Sequence, residues 1–170
     1  MKMNPKTQIG LLAIALAIAT SSLTAQDKAE VSAAAPVFDA PANLALMVMK
    51  SRADALHVSG VAVVAYAEGD VMSSWSSKMQ VVGSMTKAPS ATDKGSNLLG
   101  IAYAKAAEMA STLKDSGSGV RPPLTGEFGW QGGVVARGKA GILIVAFSGG
   151  RSEDDVNISR AGLEVLAHSL

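Results

Sequence analysis

A glycine-rich loop, Ser148-Gly149-Gly150, offers the clearest chemistry in this sequence. It follows a short apolar strand and precedes a predicted helix, so its backbone N–H groups could bind an anion. The alternative is a strand-to-helix connection that needs glycine for steric reasons alone. Asp154 and Asp155 would repel an anion at this position and better suit the start of the helix. Both interpretations stay open.

Metal-ligating and nucleophilic side chains are few. His57 lies at the expected end of a helix, where a cation suits the helix dipole, and His168 lies close to the C-terminus. Their separation fits no zinc-ligand spacing. The chain has no cysteine and no Gly-x-Ser-x-Gly sequence, which excludes disulfides, thiol catalysis and a serine nucleophile of that type. The sequence therefore predicts no catalytic set and no metal site.

Residues 133–139 fit the Gly-x-x-x-x-Gly-Lys pattern of phosphate-binding loops. However, Ala140 follows the lysine, where a magnesium-binding Ser or Thr is required. The expected context is also a hairpin rather than a strand followed by a helix. This segment is therefore not predicted to bind a nucleotide.

Residues 1–25 have the pattern of a signal peptide. Lys2 and Lys6 form a basic start, residues 9–19 are apolar, and Ala25 suits cleavage. The apolar run is short for a membrane span of ~20 residues, although an uncleaved anchor is the alternative. Cleavage removes Lys2 and Lys6 and no acidic residue, which changes the net charge from +1 to −1. The mature chain is predicted to be periplasmic or secreted, without a membrane span and without a nucleic-acid partner.

The rest of the chain divides into a lead-in, residues 26–42, and one domain, residues 43–170. The lead-in is rich in alanine, contains two prolines and lacks an apolar period, which favours a flexible or extended segment. In the domain, periodicity predicts a helix, two or three strands, a helix, two strands and a helix. The predicted helices span residues 43–57, about 97–114 and about 153–168. The predicted strands span residues 61–67, 71–77 and 141–147, with a candidate third strand at 80–85 and a short strand after Gly133. Tight turns between neighbouring strands indicate an α+β fold with a mainly antiparallel sheet.

Two local features predict how the helices begin. Asn97 or its neighbour Ser96 can cap the second helix. Ser152 and Asp155 have the spacing of a capping box at the start of the last helix.

The order and spacing of short motifs across residues 44–166 carry a family resemblance. The motifs are strand 61–67 with Gly69, the helix segment 101–106, Gly126, Gly132-Gly133-Val134-Val135, Gly138, Gly141, the Ser148-Gly149-Gly150 loop, Asp154-Asp155 and Ala161-Gly162. Together they resemble the GlcG/HbpS family of small heme-associated proteins, also found as the C-terminal domain of PduO-type proteins. The resemblance implies a profilin-like layer sandwich, with helices packed on an antiparallel sheet of about five strands. It also implies frequent homo-oligomers and heme or a related small ligand.

The resemblance suggests roles for individual residues. Lys105 matches a family position and could hold a carboxylate such as a heme propionate, although lysine in a helix is mostly exposed to solvent. Heme iron needs an axial donor, and His57 is the candidate. The alternative is that His57 only interacts favourably with the dipole at a helix end. The other candidate ligand-binding residues are Gly132, Gly133, Ser148, Gly149 and Gly150, and the other possible iron donors are Tyr66, Tyr103, Met85 and Met109.

Three functional hypotheses follow from these features. The first is an exported, non-catalytic binding protein that holds heme or another small anionic ligand for sequestration, transport or sensing. The second is an enzyme or enzyme accessory that acts on a small organic acid or degrades heme, using Lys105 and the glycine-rich loop. The third is an oligomeric structural module without a ligand. Turnover abolished by Lys105→Ala would favour the second, and a stable oligomer that binds no metabolite would favour the third.

Overall fold

The computed structural model of the protein describes the backbone of residues 25–170 and the side chains of residues 37–170. The predicted signal segment, apart from Ala25, lies outside the described residues. The elements in chain order are α1 (Ala25–Ala55), β1 (Gly60–Glu68), β2 (Ser76–Val82), β3 (Thr86–Lys87), β4 (Ser96–Asn97), α2 (Leu98–Thr112), β5 (Gly133–Arg137), β6 (Gly141–Ser148) and α3 (Ser152–Ser169).

Four strands form one antiparallel sheet in the order β2-β1-β6-β5, and β3 pairs with β4 separately. The central pair runs from Val61 opposite Ser148 to Glu68 opposite Gly141. The predicted α+β class with a mainly antiparallel sheet is confirmed. The main sheet has four strands rather than about five, because β3 and β4 form their own small ribbon.

Helices cover both faces of this sheet. The core between the sheet and α1 and α3 contains Ala62 and Val64 of β1, whereas the core beneath α2 contains Val61 and Val63. Successive side chains of a strand point to opposite faces, so a strand covered on both sides is apolar throughout. This explains why residues 61–67 and 141–147 form continuous apolar runs in the sequence.

The first helix is longer than the sequence predicts. The lead-in of residues 26–42 is not an extended segment, because α1 already begins at Ala25. Alanine has the highest helix propensity, and Phe38 and Ala42 are buried in the core, which outweighs the helix-breaking tendency of the prolines. Phe38 also stacks on Tyr66, with 6.1 Å between ring centroids. Within residues 25–170, no helix combines the length and hydrophobicity needed to cross a bilayer.

The predicted second strand, residues 71–77, is mostly wrong. The strand that pairs with β1 is β2, which begins at Ser76 and includes much of the predicted third strand. Met72 and Trp75 instead pack against the core beneath α2. Met72 and Trp75 therefore cover the α2 side of the core, whereas Val71, Ser73 and Ser74 are exposed to solvent.

Three parts of the fold converge at the end of β6. The strand ends at Ser148, α3 starts four residues later, and Gly132 pairs with Phe147 just before β5. Since α2 and α3 lie on opposite faces, this end of the sheet is a place where side chains from both layers can meet.

Candidate functional site

A buried ion pair joins the helices on opposite faces of the sheet. Lys105 of α2 and Asp155 of α3 are each only 3% exposed. Lys105 Nζ donates to Asp155 Oδ2 at 2.8 Å and to the carbonyl oxygen of Phe147 at 2.8 Å. The interpretation of Lys105 as a solvated helix residue is therefore wrong.

Gly132 leaves the space in which the two side chains meet. Its φ of +132° lies outside the range that other residues readily adopt. A Cβ at this position would clash with Lys105 Nζ and lie 2.8 Å from Asp155 Cβ. The carbonyl of Gly132 accepts hydrogen bonds from Ser159 Oγ at 2.7 Å and from the N–H of Phe147 at 3.0 Å. The predicted ligand position Gly132 is thus part of the wall that holds the ion pair.

The glycine-rich loop already binds an anion, and that anion belongs to the protein. Asp155 Oδ1 accepts a hydrogen bond from the N–H of Gly150 at 2.8 Å. The neighbouring Gly149 amide also acts to lower the pKa of this carboxyl group. A Cβ at Gly149 would also clash with the backbone of Ser59. The steric requirement for glycine is therefore met at Gly149, and binding of an external anion by this loop stays a prediction.

The predicted capping box of Ser152 and Asp155 is wrong. The N-cap residue of α3 is Arg151, which makes no side-chain capping bond within the described chain. Asp155 lies on the buried face of α3 and turns inward to Lys105, whereas Asp154 pairs with Arg151 at 3.2 Å. The first turn of α3 lacks a side-chain cap, and its acidic residues Glu153, Asp154 and Asp155 compensate the partial positive charge of the helix start.

Burial dominates the ionisation of the pair. Removal from water raises the pKa of Asp155 and lowers the pKa of Lys105, because it penalises the charged form of each group. The opposite charge of the partner acts against both shifts, as do the Gly150 and Gly149 amides for Asp155. Perturbed titratable groups in a cleft mark a candidate functional site.

Two adjoining clefts open beside the pair. The inner cleft, of about 260 Å³, is lined by Lys105 and Asp155 together with Lys87, Asp93, Ser96, Leu98, Ile101, Trp130, Gln131, Ser148, Gly149, Gly150 and Ser152. The outer cleft, of about 550 Å³, is lined by His57, Val58, Ser59, Ser84, Thr86, Lys87, Leu98, Gly149, Gly150, Arg151 and Asp154. Gly149 and Gly150 line both, so the glycine-rich loop borders the whole site.

A separate groove of about 420 Å³ lies between α2 and the β1–β2 connection. Its lining is apolar or hydroxyl-bearing, and includes Met72, Trp75, Ala107 and Ala110. No ionisable side chain of the described residues lines it. The two clefts beside the ion pair therefore offer more chemistry than this groove.

The structure gathers most of the predicted ligand-binding residues at this site. Ser148, Gly149, Gly150 and Lys105 line the inner cleft, and Gly132 touches Lys105. Gly133 is the exception, because its N–H donates to Ser116 Oγ at 2.8 Å within the core and it lines neither cleft.

Of the possible iron donors, His57 is the one that lines either cleft. It is exposed and follows the end of α1 with a φ of +55°, as expected for a residue at a helix end. Met109 is fully buried in the core. Tyr66 donates to the carbonyl of Ala140 at 3.2 Å, and burial raises its pKa. Tyr103 and Met85 also lie outside both clefts.

Sequence reasoning missed the role of Asp155 as the partner of Lys105. A usable signal was present, since Asp155 and Ser159 share the buried face of α3 with Ile158 and Leu166. Polar residues on an apolar helix face are usually hydrogen-bonded inside the fold. The contributions of Lys87 and Trp130 had no comparable signal, because they come from distant loops and strands.

Comparisons of the chain with protein-family models, curated proteins and solved structures found no match. The family resemblance therefore stays a prediction. Among the described residues, no group of three or more His, Cys, Asp or Glu side chains is arranged to hold a metal ion.

Proposed function

We propose that the protein is an exported, non-catalytic binding protein that holds heme or another small carboxylate-bearing ligand in the two clefts. The observation that carries this proposal is the Lys105–Asp155 pair, which is buried yet lines an open cleft. A buried ion pair is a poor source of stability, because desolvation offsets much of the attraction. Organisation of a binding loop accounts for its presence better than stabilisation does.

Exposed cations support recognition of a carboxylate. Lys87 Nζ lies 3.7 Å from Asp93 Oδ2. The exposed guanidinium of Arg151 pairs with the exposed Glu153 and with the partly buried Asp154. Exposed ion pairs contribute little free energy, so a ligand carboxylate can replace these partners at low cost. Lys105, held by two hydrogen bonds, acts through Asp155 as a positioning residue.

The outer cleft carries side chains that heme would use. His57 would provide an imidazole to the iron, and Lys87 and Arg151 would face the propionates. The cleft volume of about 550 Å³ falls within the range of small-molecule sites. When bound, heme would supply redox-active iron and a conjugated ring, while the protein supplies the donor and the charge.

A hemin titration of the purified protein, followed by absorption spectroscopy, tests this proposal. We expect a saturable Soret shift that His57→Ala abolishes or displaces. His168→Ala is the matched control, because His168 lies at the far end of α3, ~24 Å from its start. A Soret shift that is retained in His57→Ala would mean that another residue is the axial donor. A parent protein without a saturable shift would exclude heme, and small carboxylates would then be titrated.

Export is the second part of the proposal, and it rests on the signal pattern of residues 1–25. Expression in a bacterium with a periplasm is expected to yield a mature chain that starts at Gln26. N-terminal sequencing of the periplasmic fraction measures this directly. Recovery of a chain that still begins with Met1, from the membrane fraction, would instead identify an uncleaved anchor.

A further inference from the structure

We infer that Phe128 and Trp130 form an aromatic platform at the mouth of the inner cleft, which stacks the flat conjugated ring of a carboxylic acid. The inference rests on the proposed function, since it takes the clefts as the ligand site. It adds a residue pair that selects the ligand's ring, in addition to the cations that attract its carboxylate.

The two rings already lie together and face solvent. Their centroids are 4.8 Å apart and their planes are inclined by 30°. Phe128 is 46% exposed and Trp130 is 51% exposed. Trp130 also lines the inner cleft with Lys105 and Asp155. The platform is therefore continuous with the charged site.

An ion pair closes the loop that carries these rings. Arg121 donates to both carboxylate oxygens of Glu127, at 2.6 and 2.8 Å. The N–H of Leu124 donates to the same carboxylate at 2.9 Å, and Arg121 also donates to Ser111 of α2 at 2.8 Å. These hydrogen bonds hold the pKa of Glu127 at about 2. A loop closed in this way presents its rings in a preformed arrangement, which reduces the entropy lost on binding.

The backbone between the rings is equally specific. Gly129 adopts a φ of +63°, and a Cβ there would lie 2.5 Å from Pro123 Cγ. This turn brings the aromatic rings of residues 128 and 130 into contact.

The dimensions and charges of the inner cleft define the ligand class. The inner cleft, of about 260 Å³, lies near the small end of ligand sites, so it suits a carboxylate group or a small acid rather than a whole porphyrin. Each carboxylate of the cleft faces a lysine, Asp93 beside Lys87 and Asp155 beside Lys105. Lys87 is the exposed cation that can turn to the ligand. A flat ring acid fits this combination, and such an acid is either a porphyrin or a small aromatic carboxylate.

Calorimetric titration with 2-naphthoate and its saturated counterpart, decahydro-2-naphthoate, tests the platform. Both acids carry the same charge, but only the first has a π face. Trp130→Leu is expected to weaken binding of 2-naphthoate roughly tenfold, as for loss of an aromatic stacking partner. Binding of the saturated acid should change less than twofold. Trp130→Phe should retain most of the affinity, which separates stacking from misfolding, and Trp75→Leu, in the separate groove, is the matched control.

Protoporphyrin IX, which lacks iron, identifies the source of the ring. A tenfold loss in Trp130→Leu that His57→Ala does not reproduce would support stacking of a porphyrin. Binding of 2-naphthoate alone, with the same loss, would support a small aromatic acid. If the parent binds these acids and Trp130→Leu binds them equally well, the platform is overturned while the proposed function stands. If the parent binds none of the three acids and no hemin, both fall together.

Discussion

Replacing Lys105 with methionine is expected to lower the free energy of unfolding by about 3–5 kcal/mol at pH 7. Methionine preserves the length of the side chain but leaves Asp155 as an unpaired, buried carboxylate. It also removes the hydrogen bond to the carbonyl of Phe147. Urea unfolding followed by circular dichroism measures the loss.

The same variant should show a distinct pH dependence. Without Lys105, the main influences that lower the pKa of Asp155 are gone, so burial raises it further above the ordinary value of 3.8. A group whose pKa is raised in the folded state contributes stability below its unfolded pKa, and this contribution is lost as pH rises through the folded pKa. The stability deficit of Lys105→Met is therefore expected to be small near pH 4 and to grow toward pH 7.

The double variant Lys105→Met/Asp155→Asn separates two costs in stability. One is the loss of the ion pair itself, and the other is the burial of an unpaired charge. Asparagine keeps an oxygen that accepts from Gly150 but carries no charge. We expect the double variant to be more stable than Lys105→Met alone at pH 7. A deficit below about 1 kcal/mol for Lys105→Met at both pH values would contradict a buried, ionised pair.

Gly132→Ala is expected to cost about 3 kcal/mol, the second largest effect on stability. The new methyl group would clash with Lys105 Nζ and crowd Asp155, and alanine disfavours a φ of +132°. The substitution should therefore also separate the ion pair and release Asp155 from its contact. Thermal unfolding measures the cost, and the carboxyl chemical shift of Asp155 reports the separation.

Gly119→Ala provides the matched control for Gly132→Ala. Gly119 also has a positive φ, of +71°, but a Cβ added there would meet no neighbouring atom within 4 Å. Gly119→Ala should lower the free energy of unfolding only by the backbone strain of a positive φ, about 1–2 kcal/mol. Equal losses at the two positions would mean that the space beside Lys105 does not matter.

Much of the fold could be predicted because its signals are local. The apolar runs of β1 and β6, bounded by glycines, identified the two central strands. Ser96 or Asn97 was predicted to cap α2, and the structure identifies Asn97, whose side chain accepts from the N–H of Gly100 at 2.9 Å. The start of α1 was missed because propensity rules weigh proline heavily, whereas burial of Phe38 depends on the whole fold.

The site could be predicted only as separate parts. Lys105 and Asp155 are 50 residues apart and lie on opposite faces of the sheet. Their contact depends on the absence of a side chain at Gly132, on a third segment of the chain. The hydrophobic periodicity of the sequence cannot predict such a contact, since it arises from three elements that meet at the end of the sheet. The sequence therefore identified the glycine-rich loop but not the carboxylate that its amides bind.

The most direct test of the binding site is an amide NMR spectrum of the protein titrated with hemin, with gallium protoporphyrin as the diamagnetic control. Ferric iron broadens the amide signals nearest to it. We predict that the signals of His57, Gly149 and Gly150 lose intensity first, because these residues line the outer cleft. Strongest broadening at Met72, Trp75 and Ala110 would place the ligand in the separate apolar groove and contradict this account.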